Sequence, residues 1–446
     1  MFQQAEQPCP VQPVVVRVGV FFDGSGNNLA NSLTAGERTG SYANAPSNVA
    51  LLHALYRASA NGIQGPHGIL CFKLYIEGIG TAEGLNDTLH GLVTGRGHTG
   101  VEARVRQSMQ QLGRQLHAWL GEHPQVELSH IEFDLFGFSR GAAAARHLAN
   151  DLRKGTGSLL GLALGGRVGL QWQRQLFINF IGLFDTVAAI VAPLAGNFSP
   201  ANDNYEGLAL ELDETLASRV VQLVAEDEGR HNFPLVATQW DISLPGAHSD
   251  IGGGYRVREQ ERQFLCKPRS SLVSASTPIE RTHAYAEVLE LLGGLECASE
   301  QIVTWEELLP AAPHTQEEPQ KRAYAVLYRE REVLGHLSRI YLRIMRQLAL
   351  DSGVPFAVLD ETDPLHALPD ELRNISRKLH DYALGLAANG GLTPEEQKLL
   401  GARYIHQSAH WNPVKGLRNS ELDAFYIDRP AAAGRVVHGV VQGHRT

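Results

Sequence analysis

At 446 residues with a 43% apolar share, the chain is long enough to bury a sizeable core, and its 20% charged content is ordinary for a globular protein. The net charge of −9 is spread along the chain with no basic stripe, which excludes a nucleic-acid binder. The four cysteines, Cys9, Cys71, Cys266 and Cys297, are widely spaced and form no Cys-x-x-Cys pair. They predict neither a zinc site nor a disulfide framework and fit synthesis in a reducing cytoplasm.

Met1 to Pro13 carries Glu6 and Pro10 and lacks a basic segment followed by an apolar one, so it does not read as a secretory signal. Val14 to Phe22 is a near-continuous apolar run, expected of a central parallel strand buried on both faces. It ends in Asp23-Gly24-Ser25-Gly26-Asn27-Asn28, at the carboxyl end of a strand, where open α/β sheets place their ligands. Ser47 is placed to cap a helix over Asn48 to Ala60, and Leu70 to Ile76 reads as the next strand. The Gly-rich segment Glu77 to Gly100 contains Gly95-Arg96-Gly97-His98-Thr99-Gly100 without the lysine of a phosphate loop, and reads as a flap or surface loop. A helix is expected over Val101 to Leu120, and strands over Ile131–Phe136, Gln175–Phe184, Val220–Ala225 and Leu235–Leu244.

Phe177 to Phe198 is apolar enough to raise the question of a membrane span. Asn179, Asp185 and Pro193 interrupt it, so a buried strand running into a loop is the better reading. Strands alternating with helices to about residue 255 predict an α/β-hydrolase-like, mostly parallel sheet covered on both faces, as one unit over 14–255. Beyond it, 256–446 reads as a helical appendage, with helices over Lys321–Leu350 and Pro369–Ala388 and a late return to the active-site side at about 402–411. In the first of these helices Arg329, Arg331, Arg339, Arg343 and Arg346 flank an apolar stripe of Leu337, Ile340, Tyr341, Ile344 and Leu348. That pattern suits a core-packed helix with a solvated face, or one lying on anionic lipid.

The chemistry converges on Gly137-Phe138-Ser139-Arg140-Gly141. A β-branched and aromatic run precedes it and an Ala-rich run follows, so Gly-x-Ser-x-Gly sits on a sharp strand-to-helix turn that lifts a serine hydroxyl above a sheet. Glycines at 137 and 141 remove the Cβ atoms that would clash there. A serine hydroxyl is a weak nucleophile at neutral pH and needs a histidine base oriented by a carboxylate. In the chain order Ser, acid, His, the first strand-end acid after Ser139 is Asp185, and the next strand-end histidine is His248. Asp250 remains an alternative acid, and His406 or His410 an alternative base. For the oxyanion hole, the backbone N–H of Arg140 is one donor, and the loop after the first strand offers a second, most simply at Gly24. Asp23 is expected to hold that loop.

Five motifs then stand in order: Phe21 to Asn28, Gly137 to Ala142, Leu183-Phe184-Asp185-Thr186-Val187, Asp227-Glu228-Gly229-Arg230-His231-Asn232-Phe233, and His248-Ser249-Asp250-Ile251-Gly252-Gly253-Gly254-Tyr255. With the Tyr404-Ile405-His406-x-Ser408 motif, they resemble the α/β-hydrolase domain of type VI secretion phospholipase effectors of the first lipase-effector class. The resemblance implies an antibacterial phospholipase A with Ser139, Asp185 and His248 as its triad, and the motifs themselves call for no metal or cofactor. It further implies made-without-signal delivery into a rival's periplasm, a membrane phospholipid substrate, a cognate immunity protein, and a secretion spike or tube protein as carrier. Asp227–Arg230 departs from the family in its lead-in and is taken as scaffold.

A haloacid-dehalogenase reading of Asp23 fails for want of Asp-x-Asp, since position 25 is Ser. A metal site joining Asp23, His248 and Asp250 has no two-histidine helical motif behind it. Another serine esterase or acyltransferase, or a non-catalytic binding or assembly module, remains the competing function.

Overall fold

The computed structural model describes residues 12–34, 39–59, 68–85, 87, 97–165, 172–188, 205, 207–294, 299–309, 318–413 and 422–439. Cys9, Cys297, Gly95, Arg96 and Pro193 lie outside the described residues; Cys71 and Cys266 are free thiols.

Six strands form one sheet: β1 (Gln12–Phe22), β2 (Ile69–Ile76), β3 (Val126–Phe138), β4 (Leu176–Phe184), β5 (Arg219–Ala225) and β6 (Asp241–Leu244). They lie in the order β2-β1-β3-β4-β5-β6, and every neighbouring pair is parallel. Among the described residues, the run expected as one strand over Leu235–Leu244 is two, Leu235–Val236 and β6, separated by the Thr238–Asp241 turn in which Asp241 accepts the Thr238 N–H.

Both faces are covered, as the near-continuous apolar runs of the strands require. On one face Val105, Met109, Leu112 and Leu116 of α2 (Val101–Glu122) pack against Val16, Val18 and Leu135. On the other, Leu52 of α1 (Asn48–Leu55) joins Phe136, Phe180 and the stripe Ile340, Tyr341, Ile344 and Leu348 of α6 (Ser338–Leu350). Residues past 255 therefore contribute to the sheet's own core. The arginines of α6 are engaged in protein: Arg339 donates to Ala367 O, Arg343 to Glu361, and Arg346 to Ala357 O. Here the core-packed arrangement is the one adopted. No helix among the described residues is long and apolar enough to cross a membrane.

The expected helix over Lys321–Leu350 is corrected. Its first half is a strand, β10 (Gln320–Val333), pairing antiparallel with β7 (Glu259–Phe264), β8 (Arg269–Ser274) and β9 (Glu300–Leu308). Tyr324, Val326, Tyr328 and Val333 favour extended backbone, and Ala325 and Leu327 bury against Ala284 and Val288 of α5 (His283–Gly293). The helical character expected after 255 is thus limited to α5 before residue 338 and resumes with α6, α7 (Asp370–Ala383) and α8 (Pro394–Arg403).

Parallel strands all release their chain at one edge. Phe22 pairs with Gly137 and Phe138 with Phe184, so Asp23, Ser139 and Asp185 leave the sheet side by side. The connection from β1 runs outward to β2 while that from β3 runs to β4. The crevice between β1 and β3 is therefore the switch point of the sheet, where ligands enter folds of this type.

Candidate active site

The turn between β3 and α3 (Arg140–Leu152) is tight enough to exclude side chains at both flanking glycines. A Cβ on Gly137 would stand 2.4 Å from Gly141 O, and one on Gly141 would stand 2.3 Å from Phe22 O. Between them Ser139 takes φ 57°, ψ −125°, and its carbonyl receives the Ala142 N–H at 3.0 Å. Among the described residues, only Ser139 and Asp185 (φ 43°) are non-glycine residues with positive φ. Such backbone costs roughly 1–3 kcal/mol per residue and persists only where surrounding structure over-determines it. Here the determinants are mutual: the Ser139 N–H donates to Phe184 O at 3.0 Å, and the Asp185 N–H donates to Leu223 O at 2.8 Å.

His248 opens α4 (His248–Gly252), just beyond β6. Its Nδ1 lies 2.5 Å from Asp185 Oδ2, with both side chains buried. Burial alone would raise the Asp185 pKa, but Arg435 and His248 outweigh it and hold the carboxyl well below the usual carboxylate range. An ionised carboxylate only accepts, so Nδ1 carries the proton and Nε2 presents a lone pair. Burial keeps the imidazole below its ordinary pKa, against the pull of Asp185. The imidazole is therefore neutral at neutral pH.

Phe138 joins the serine to the histidine. Its ring centroid is 4.7 Å from that of His248, and Gly252 and Gly24 lie against it so closely that a Cβ would come within 2.1 Å and 2.3 Å of the ring. That contact explains the first glycine of Gly252-Gly253-Gly254. The other two have φ of 81° and 111°.

The Asp227–Phe233 segment holds the His248 turn from beneath. Glu228 Oε2 accepts the His248 N–H at 3.3 Å, and Asp227 accepts the Gly246 N–H at 2.6 Å. Arg230 donates to Glu228 through Nε and Nη2 at 3.0 and 2.9 Å and lies over the Phe233 ring, whose edge meets His248. Burial opposes ionisation of Glu228, but Arg230 prevails and lowers its pKa to about 2.

Asp23 is fully committed to the first loop. It accepts from the Gly24 N–H at 2.7 Å, Ser47 Oγ at 2.5 Å and Tyr75 OH at 2.6 Å. The Gly24 N–H expected in the oxyanion hole is therefore spent on its neighbour's carboxylate, because a buried carboxylate must be hydrogen-bonded. Arg140 Nε donates to Ser25 Oγ at 2.7 Å, which ties this loop to the elbow while the Arg140 N–H begins α3.

The alternative acid and bases are placed as well. Asp250 accepts from His406, Nδ1 to Oδ1 2.7 Å, and from the His406 backbone N–H at 3.0 Å; Tyr255 stacks on the His406 ring. His410 sits 3.9 Å from Asp428. Asp185 takes His248 and leaves Asp250 to His406. One contributor is absent from the sequence reading: Arg435 donates Nη1 and Nη2 to the two Asp185 oxygens. Nothing near it in the chain marks it, since the tail has no pattern. No group of three or more His, Cys, Asp or Glu side chains that could hold a metal occurs among the described residues.

No protein-family model matches the chain, and no curated protein matches it in sequence. Among solved structures it is similar to a Tle1 effector bound to the VgrG spike of a type VI secretion system. Identity there is 27%, covering 96% of this chain and 94% of that one, with a TM-score of 0.76. An uncharacterized Pseudomonas aeruginosa protein aligns more loosely, at 21% identity over 85% of this chain and 51% of that one, TM-score 0.42. In fold and in extent the chain is thus similar to a Tle1 effector of the type VI secretion system.

Proposed function

We propose that the chain is a serine hydrolase that cleaves an acyl ester of membrane glycerophospholipids, with Ser139 as nucleophile, His248 as base and Asp185 as the acid that orients it. The observation that carries this reading is a serine on a strained strand-to-helix turn whose neighbour, Phe138, packs against an imidazole already held by a buried carboxylate. In this mechanism Ser139 Oγ attacks the ester carbonyl while its proton passes to His248 Nε2. The Arg140 N–H at the start of α3 receives the developing oxyanion. His248 then protonates the departing lysophospholipid alkoxide, leaving an acyl-Ser139 ester. Water, deprotonated by the same nitrogen, releases the fatty acid and restores the serine.

The likeness to a Tle1 effector bound to a VgrG spike supports delivery by a type VI secretion spike, and with it an antibacterial role in a rival's periplasm checked by an immunity protein. The deciding experiment is lipid product analysis on phosphatidylethanolamine and phosphatidylglycerol vesicles, wild type beside Ser139→Ala. Fatty acid and lysophospholipid should appear with the wild type and fall by about 10⁴-fold or more in the variant. Unchanged release by Ser139→Ala ends the proposal.

A further inference from the structure

Arg435, the cation of a buried ion pair with Asp185, has no role in that mechanism. Asp185 has four hydrogen bonds: Oδ1 receives the Ala225 N–H at 3.1 Å and Arg435 Nη1 at 2.8 Å, while Oδ2 receives His248 Nδ1 at 2.5 Å and Arg435 Nη2 at 2.7 Å. The Arg435 side chain is only 9% exposed, and its Nε donates to Phe233 O at 2.8 Å, the residue whose ring edge meets His248. The segment that carries it is fastened on both sides. Val437–His438 pairs parallel with Leu235–Val236, and Pro430 bridges to Arg230. A fork of two N–H bonds with a third behind it fixes a guanidinium plane in a way that one ammonium cannot.

We propose that Arg435 is a positioning residue for the acid of the triad, brought to the site by a C-terminal strap over residues 422–439 that completes the catalytic constellation. The inference rests on the Ser139–His248–Asp185 reading. By saturating both oxygens, the fork fixes the carboxylate plane, and so the tilt of the imidazole and the direction of Nε2. Its charge also offsets that of Asp185, which sets how basic His248 becomes. The other charged groups facing His248 are Glu228 and Arg230 from the loop after β5, with Asp250 on its own helix; the variants below leave all of them in place.

The test compares wild type, Arg435→Ala and Arg435→Lys, full chains, in kcat, KM and the pH profile of kcat/KM on a short-chain ester, with thermal unfolding as the folding control. Arg435→Ala should lower kcat by about 10- to 100-fold with KM little changed, the loss typical of groups that orient a histidine. With Asp185 left unopposed, the acid limb of kcat/KM should move up by about one pH unit. Added guanidinium should restore part of the rate. Arg435→Lys keeps the charge and loses the fork, so its limb should stay near the wild-type position while kcat drops. A purely structural pair would lower the unfolding temperature without moving the limb or responding to guanidinium. A wild-type kcat and limb in Arg435→Ala overturn the inference; if that variant does not fold, wild-type kcat in Arg435→Lys overturns it. Ser139→Ala run alongside separates the failures: hydrolysis that survives it removes the triad reading itself, whereas its loss beside unaffected Arg435 variants removes only the strap.

Discussion

His406 and Asp250 form a second buried imidazole–carboxylate pair, with 2.7 Å between Nδ1 and Oδ1, and Asp250 stands two residues after His248 on the same short helix. The Nε2 of this second ring is buried with no hydrogen-bond partner among the described residues, and its face is covered by Tyr255 at 3.7 Å between centroids. Asp250 also accepts the Ala247 N–H and so fixes the start of the helix that begins with His248. The pair is a brace for the base.

His406→Ala should therefore behave unlike His248→Ala. The first removes a buried hydrogen-bonded ring and is expected to lower stability by about 2 kcal/mol while sparing most of the turnover. The second should abolish turnover with a smaller effect on stability. Urea unfolding and ester hydrolysis on both variants check the assignment, and a dead but stable His406→Ala would reverse it.

Backbone strain at Ser139 gives a second expectation. At φ 57°, ψ −125° only glycine is comfortable. Ser139→Gly should be inactive yet more stable than Ser139→Ala by about 1 kcal/mol, because it releases backbone strain that alanine retains. The two unfolding midpoints in urea decide it.

The pH dependence of stability has a definite sign. Burial holds His248 below its ordinary 6.5 in the native protein, and unfolding returns it there. The unfolded chain therefore binds a proton that the native one does not. The contribution is whole above about pH 6.5 and shrinks as pH falls from there toward the native value. Asp185, held below its ordinary 3.8, stabilises above that pH and loses its contribution as pH falls through the native value. Unfolding temperature measured from pH 7.5 to 5 should fall less steeply in His248→Asn than in wild type. The acid limb of kcat/KM should lie below the ordinary histidine value for the same reason.

Glu228 is the third support of the base. Its side chain is fully buried and accepts from Arg230 and from the His248 N–H. Glu228→Gln keeps the volume but leaves the Arg230 guanidinium with only Asp428, at 3.3 Å, for an ionic partner. A buried charge stripped of its partner costs about 3 kcal/mol or more, so a lower urea midpoint is expected. Release of the His248 turn should also reduce kcat while KM stays put, which steady-state kinetics would show.

The strands of the parallel sheet and the elbow were legible because their causes are local. A strand buried on both faces needs a mostly apolar run, and Val14–Phe22 and Phe177–Phe184 supply one. A turn with no room for Cβ atoms needs glycine at Gly137 and Gly141, and that spacing singles out the serine between them. Even Asp23 could be read as a loop brace, since a buried acid after a strand must find donors.

Other features depend on partners that no local pattern encodes. Two acids and three histidines satisfied the same chain order, and only the packing of α4 against the ends of β4 and β5 joined Asp185 to His248 and Asp250 to His406. In Gln320–Val333 a two-residue and a helical repeat both fit the alanines and arginines; three antiparallel neighbours made it a strand. The Gly24 N–H was available as a donor until the fold buried Asp23 beside it. Arg435 lies 250 residues beyond the carboxylate it grips, in a tail with no periodicity. Chain chemistry determined which kinds of residue stand at the sheet's carboxyl edge, whereas the pairing of charges there was decided by burial, because a desolvated ion is stable only against the partner that the tertiary structure brings to it.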